Sequence, residues 1–255
     1  MLPLFFLKKG KIVRVVIIES TDKENGRIPL EEVLELLETY AKESDFWILP
    51  EAFDTGWNID GTTKISGGKV LDFMKQNALK YKISICGSFY LETEGKFFNR
   101  FCVVTEDGRN YFVDKRHLFG LFEKTSVEPG KEILDFEISG IIFRVVICYD
   151  LRFPVWCRQS DKRKPYDALI CVSQWPKVRE FDRDLLLGAR ALENVSFAIN
   201  SNALGGSKIF SAEGKLLAKM PEGQRVMFYE LDKQQLSEYR KHKKYLSDAD
   251  DFQIF

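Results

Sequence analysis

Four apolar runs in this 255-residue chain end on residues that could do chemistry. Glu51 follows "WILP", Lys115 follows "YFVD", Cys148 follows "RVVI", and Gln174 and Trp175 follow "LICVS". An ionisable side chain is costly inside a buried strand, so at a strand end it faces a cleft or a partner. A thiol, a carboxylate and an ammonium group in one cleft could open an unreactive carbonyl. The thiol attacks, the carboxylate takes its proton, and the cation holds the charge that develops on oxygen. Cys148 stands out because charged residues follow it at once, in "VVICYDLRFP" (145–154).

The elements that must carry these residues alternate. "KIVRVVII" (11–18) reads as a strand, "PLEEVLELLETYAKE" (29–43) as a helix with Val33, Leu34, Leu37 and Tyr40 on one face, and "FWILPE" (46–51) as a short buried strand. A helix over 67–81 follows. Strands over 82–92, 97–105 and 109–115 come next, the last two joined by the "EDG" turn at 106–108. Residues 133–148 give two strands around a Ser-Gly turn, 167–176 another buried strand, 180–194 a helix, and 232–245 a closing helix after three or four more strands. Paired helices around two sets of strands predict two mixed sheets with helices outside, a layered α/β sandwich. In open α/β sheets, sites gather at the carboxyl ends of the strands. No linker divides the chain; residues 1–10 read as an extension ahead of one domain over 11–255.

Composition narrows the function. Lys+Arg and Asp+Glu both number 38, so there is no electrostatic footprint for nucleic acid or an anionic membrane, and no apolar run approaches a membrane span. A small molecule in a pocket is the expected partner. The five cysteines form no CxxC pair, and Cys86, Cys102 and Cys171 lie in apolar runs. That suits a reduced, cytoplasmic setting. Only two histidines, His117 and His242, are available, too few for a zinc site of several His and Cys ligands.

The motifs "LPEAFDTGW" around Glu51, "DKRHLF" around Lys115 and "ICYDLRFP" around Cys148 resemble the nitrilase (carbon–nitrogen hydrolase) superfamily, whose triad is Glu, Lys and Cys in that order. "GSFY…NRFCVV", "SQWP" and "LLLGARALENVSFAINSN" fall in the same order, so the resemblance runs from about residue 11 to the tail. It is closest to the omega-amidase branch. It implies a four-layer α-β-β-α sandwich, usually paired into a homodimer or a higher homo-oligomer, with no metal and no organic cofactor. It also implies hydrolysis of the amide of 2-oxoglutaramate or a similar 2-oxo acid, through a thioester on Cys148, with Glu51 as base and Lys115 beside the oxyanion. The Tyr149 N–H would be a second oxyanion donor, and Lys115 would raise the thiolate fraction of Cys148. Glu123 is assigned as the family's second glutamate in the loop "LFEKTSVEPG", with Glu128 as its rival.

Other residues keep two readings. His117 could pair with the thiol as a base or support the lysine motif. Arg152 could hold a substrate carboxylate or pair with Asp150 or another acid. Phe53, Trp57 and Trp175 could wall the pocket or pack the core. Cys157 reads as packing on a helix after the nucleophile, and "RKHKK" (240–244) as a solvated or partner-facing helix surface. Gln174 stands where relatives often have asparagine or threonine, and "GGS" (205–207) is less polar than in many of them. Both positions, with Gln174 as a pocket residue, are expected near where the acyl group sits, so these departures bear on substrate identity. The same triad could serve an N-carbamoyl amino acid, a deaminated-peptide amide or a nitrile. A sandwich without catalysis, used as a dimer scaffold, is the remaining alternative.

Overall fold

The structure, a computed structural model, describes residues 12–57, 67–159, 165–243 and 246–250. The N-terminal extension lies outside them. Twelve strands among the described residues form two six-stranded sheets.

The first sheet runs β12-β1-β2-β3-β4-β5. Its strands are β1 (Ile12–Ile18), β2 (Phe46–Ile48), β3 (Ser84–Thr93), β4 (Lys96–Val104), β5 (Asn110–Asp114) and β12 (Val226–Asp232). β1, β2 and β3 are parallel and the outer pairings antiparallel. The second sheet runs β11-β10-β9-β8-β7-β6. Its strands are β6 (Asp135–Ile138), β7 (Ile141–Ile147), β8 (Ala168–Ser173), β9 (Phe197–Asn202), β10 (Lys208–Phe210) and β11 (Leu216–Lys219). Here β7, β8 and β9 are the parallel centre.

Alternation along the strands builds the layers. In β1, Val13, Val15 and Ile17 point into a core shared with Val145 and Ile147 of β7 and Ile170 and Val172 of β8. Val16 and Ile18 point the other way, against Val33 and Leu37 of α1 (Leu30–Tyr40) and Val70 and Met74 of α2 (Gly67–Tyr81). On the far face of the second sheet, Val146, Leu169 and Cys171 meet Leu187 and Ala191 of α5 (Glu180–Asn194). Both faces of the central strands are therefore apolar, the mark of a parallel sheet covered on both sides. The α-β-β-α sandwich expected from the sequence is the fold.

Two local readings change. The segment read as a loop around Glu123 folds as a short helix, α3 (Gly120–Ser126). In "RKHKK", Arg240 of the closing helix α6 (Lys233–Lys241) turns inward. It donates to Asp167, to the Tyr166 carbonyl and to the Val195 carbonyl, while Lys241 pairs with Glu238 at the surface. Asp167 is buried and also takes Lys233, so α6 is pinned to the sheet ends by its own cations. Lys244 lies outside the described residues.

Candidate active site

Three parallel strands deliver the site. β2 leads to Glu51, β7 to Cys148 and β8 to Gln174; Lys115 follows the edge strand β5. Cys148 opens a 3₁₀ turn (148–152), and Pro154 starts the four-residue helix α4 (Pro154–Cys157), which carries Cys157 in the core. Cys148 has φ +47°, a left-handed conformation that costs a non-glycine residue on the order of 1–3 kcal/mol and tends to occur at functional sites. Ala52, directly after Glu51, is also left-handed at φ +44°, held by a bond from its N–H to Ser88 Oγ. Strain thus sits beside both the thiol and the carboxylate.

Glu51, Lys115 and Glu123 meet although they are far apart in sequence. Lys115 Nζ donates to Glu51 Oε1 at 2.8 Å and to Glu123 Oε2 at 2.8 Å, and all three residues are buried. Two residues not singled out from the sequence complete the cluster. Asn99 of β4 donates through Nδ2 to Glu51 Oε1 and Glu123 Oε1, both at 2.9 Å, and Tyr90 of β3 donates to Glu123 Oε1 at 3.2 Å. Both lie in quoted segments, "GSFY" and "NRFCVV", where an asparagine inside an apolar strand was the available signal. Glu123 also accepts the Phe119 N–H at 2.7 Å. Glu128, by contrast, pairs with Lys96 at the surface.

The electrostatics follow from this count. Burial raises the Glu51 pKa; Lys115 opposes the rise and Glu123 adds to it, and the balance leaves it above the usual carboxylate range. Burial alone would lower the Lys115 pKa, but Glu51 and Glu123 outweigh it and hold it well above 10.5. Cys148 is pushed well above its ordinary value by burial and then by the Glu51 charge, with Lys115 only partly opposing. Lys115 therefore acts in the expected direction, towards the thiolate, but burial and the Glu51 charge outweigh it. The two carboxylates flanking Lys115 offset its pull on the thiol proton.

The remaining candidates fall into place by geometry. A cavity of about 1260 Å³ is lined by Glu51, Lys115, Cys148, Glu123, Tyr90 and Tyr149, and farther out by Trp57, Arg152, Gln174, Trp175 and Arg179. Phe53 does not line it. It is fully buried against α1 and α2, where a Cβ on Gly87 would come within 3.2 Å of its ring. Arg152 pairs with Asp182 at 2.9 Å, not Asp150, and lies over the Trp175 ring at 5.0 Å. Asp150 instead accepts the N–H groups of His117 (2.7 Å) and Ile147 (3.1 Å) and contacts His117 Nδ1 at 2.8 Å. His117 is stacked on Phe153 and is absent from the cavity wall, so its imidazole links the Lys115 and Cys148 turns. Among the described residues no group of three or more His, Cys, Asp or Glu could hold a metal ion, and no helix is long and apolar enough to cross a membrane.

A buried carboxylate–lysine–carboxylate cluster thus lies beside a strained cysteine. The sequence model of the carbon-nitrogen hydrolase family matches residues 17–241. The chain belongs to the carbon-nitrogen hydrolase family, within the nitrilase superfamily. It is 33% identical over 224 residues to omega-amidase YafV of Yersinia enterocolitica, covering 83% of this chain and 86% of that one. It is 29% identical over 221 residues to the 2-oxoglutaramate amidase of Bacillus subtilis, covering 80% and 84%. A CN-hydrolase superfamily protein of Xanthomonas campestris, whose active site carries an arsenic adduct, superposes with a TM-score of 0.84 at 28% identity, over 96% of this chain and 99% of that one. Saccharomyces cerevisiae Nit3, a member of branch 10 of the nitrilase superfamily, shares the fold with a TM-score of 0.76 at 23% identity, over 91% and 94%. This carbon-nitrogen hydrolase is accordingly a hydrolase of C–N bonds in amides.

Proposed function

We propose that the chain is a cytoplasmic omega-amidase, working as a homodimer or higher homo-oligomer, that hydrolyses the terminal amide of a short 2-oxo acid such as 2-oxoglutaramate or 2-oxosuccinamate. The observation that carries the reading is the Glu51–Lys115–Glu123 cluster sharing one cavity with Cys148. Glu51 takes the Cys148 proton as Sγ attacks the amide carbon. Lys115 and the Tyr149 N–H hold the oxyanion. The C–N bond breaks with the proton returned from Glu51 to the leaving nitrogen, giving ammonia and a thioester. Water then attacks the thioester while Glu51 takes its proton, and the acid leaves as the thiol is restored. Glu123 holds Lys115 in place and lines the same cavity. A panel of amides assayed for ammonia tests the substrate: inert 2-oxoglutaramate and 2-oxosuccinamate beside a hydrolysed N-carbamoyl amino acid, deaminated-peptide amide or nitrile would transfer the site to those substrates. A cavity of about 1260 Å³ favours keeping the longer amides in the panel.

Two further outcomes follow. The base must be ionised before it can take the thiol proton, and its pKa is raised. The acid limb of kcat/KM is therefore expected above the ordinary carboxylate value of 4.5, with activity rising through the limb as pH increases. Glu51→Gln should remove that limb together with roughly 10²–10⁴ of the rate; an unchanged profile would exclude Glu51 as base. Arg152 lies at the cavity wall with a partly exposed partner, Asp182. If Arg152 binds a substrate carboxylate, Arg152→Gln should raise KM by about 10-fold or more with kcat nearly unchanged, the loss of one charge-assisted contact. An unchanged KM assigns it to bracing Trp175.

A further inference from the structure

We infer that Gln174 is a positioning residue for Glu51, gripping that residue at both its main chain and its carboxylate, and that position 26 is glycine so that the grip can close. The inference rests on the reading of Glu51 as the base. The Gln174 N–H donates to Glu51 Oε2 at 3.0 Å, and its side-chain Nε2 donates to the Glu51 main-chain oxygen at 2.8 Å and to the Gly26 carbonyl at 3.4 Å. Its Oε1 is buried without a partner. The side-chain amide spends its N–H groups on two main-chain carbonyls, so it has no donor left for a ligand.

The clamp matters because of where its ends lie. Glu51 follows β2 of the first sheet, whereas Gln174 follows β8 of the second, 123 residues later. Cys148 follows β7, the neighbour of β8 in register at Ile147 and Val172. The base and the thiol therefore come from different sheets, and Gln174 ties the base to the sheet that carries the thiol. Gly26 forms the floor beneath it. A Cβ there would lie 1.9 Å from Gln174 Oε1, and φ +72° disfavours any side chain.

The experiment uses Gln174→Leu, Gly26→Ala and the double variant, each checked by thermal unfolding. Misplacing a base by about an ångström costs up to roughly 10²-fold. Both single variants should lose about 10- to 100-fold in kcat with KM within about twofold, and the acid limb should move to higher pH as the main-chain N–H of residue 174, which both variants keep, shifts off the carboxylate once its side-chain anchor is gone. The double variant should be no worse than the poorer single one, since both act through one contact. Iodoacetamide alkylation of Cys148 at fixed pH, which needs no substrate, should slow several-fold in the same variants. A raised KM with unchanged kcat and pH limb would make Gln174 a substrate contact and overturn the inference. So would loss of activity that only tracks the unfolded fraction, or an unchanged alkylation rate. Additive losses would overturn the part assigned to Gly26. If the wild type releases ammonia from no amide yet alkylation still slows, the functional reading fails and the clamp stands; an active wild type with unchanged alkylation fails the clamp alone.

Discussion

Cys148→Ala is expected to release no measurable ammonia from any amide that the wild type hydrolyses, a loss of at least ~10⁴ in kcat, while the protein remains folded. Without Sγ there is no atom to carry the acyl group. The single hard step, attack on an amide by water, returns undivided. Losses of about 10⁶ accompany removal of the nucleophile in a serine hydrolase, and the oxyanion donors that remain leave only a small residue of catalysis. The fold should survive because the change deletes one atom from a partly exposed side chain. Alanine inherits the same left-handed φ and adds no volume. Small deletions of this kind cost about 1 kcal/mol, which moves the unfolding midpoint by a few degrees at most in a chain of this length. An ammonia assay beside a thermal melt decides the matter. Retained activity would exclude the thioester route, and activity lost together with the melt would leave Cys148 a packing residue like Cys157 and Cys171.

Glu51, Lys115 and Cys148 were legible as candidates because each sits at the end of an apolar run, where a charged or reactive side chain has to be explained. Cys148 became distinct from Cys86, Cys102, Cys157 and Cys171 only through Glu51 and Lys115, which the fold brings to the same cavity. What strand-end logic could not reach lies mid-strand. Tyr90 and Asn99 sit inside β3 and β4, where alternation says only that a side chain points inward. The partners of Asn99 are 48 and 24 residues away, so nothing local announces the contact. Phe53 shows the converse. Its neighbourhood reads as pocket from its closeness to Glu51, yet a turn at Ala52 sends the ring into the core. α3 escaped a reading by propensity because its place is fixed through Glu123, whose carboxylate is bound by Lys115, Tyr90, Asn99 and the Phe119 N–H. Arg240 looked like part of a charged surface. Only the position of buried Asp167 reveals that it turns inward.

Lys115→Met should cost both activity and stability, and the two losses should separate in a second variant. The ammonium is buried between two carboxylates, and the side chain that replaces it leaves Glu51 and Glu123 facing each other through Asn99 without a counter-charge. Removing one partner of a buried ion pair typically costs about 3–5 kcal/mol. Both carboxylates cannot remain ionised at such a separation, so the pair should hold one proton at neutral pH. That disables the base, and loss of an oxyanion donor adds roughly 10²–10³ more. In the wild type the sign is the reverse. The Lys115 pKa lies well above 10.5, so its contribution to stability is complete below that pH and is lost only as the folded-state value is passed. Glu123→Gln on the Lys115→Met background removes the second negative charge and leaves a group that can still bond Tyr90. The melting temperature should recover much of what Lys115→Met lost, whereas kcat should not, because the cation at the oxyanion is still missing. Recovery of kcat together with stability would reduce Lys115 to a structural counter-charge, and a stable, active single variant would exclude it from both roles.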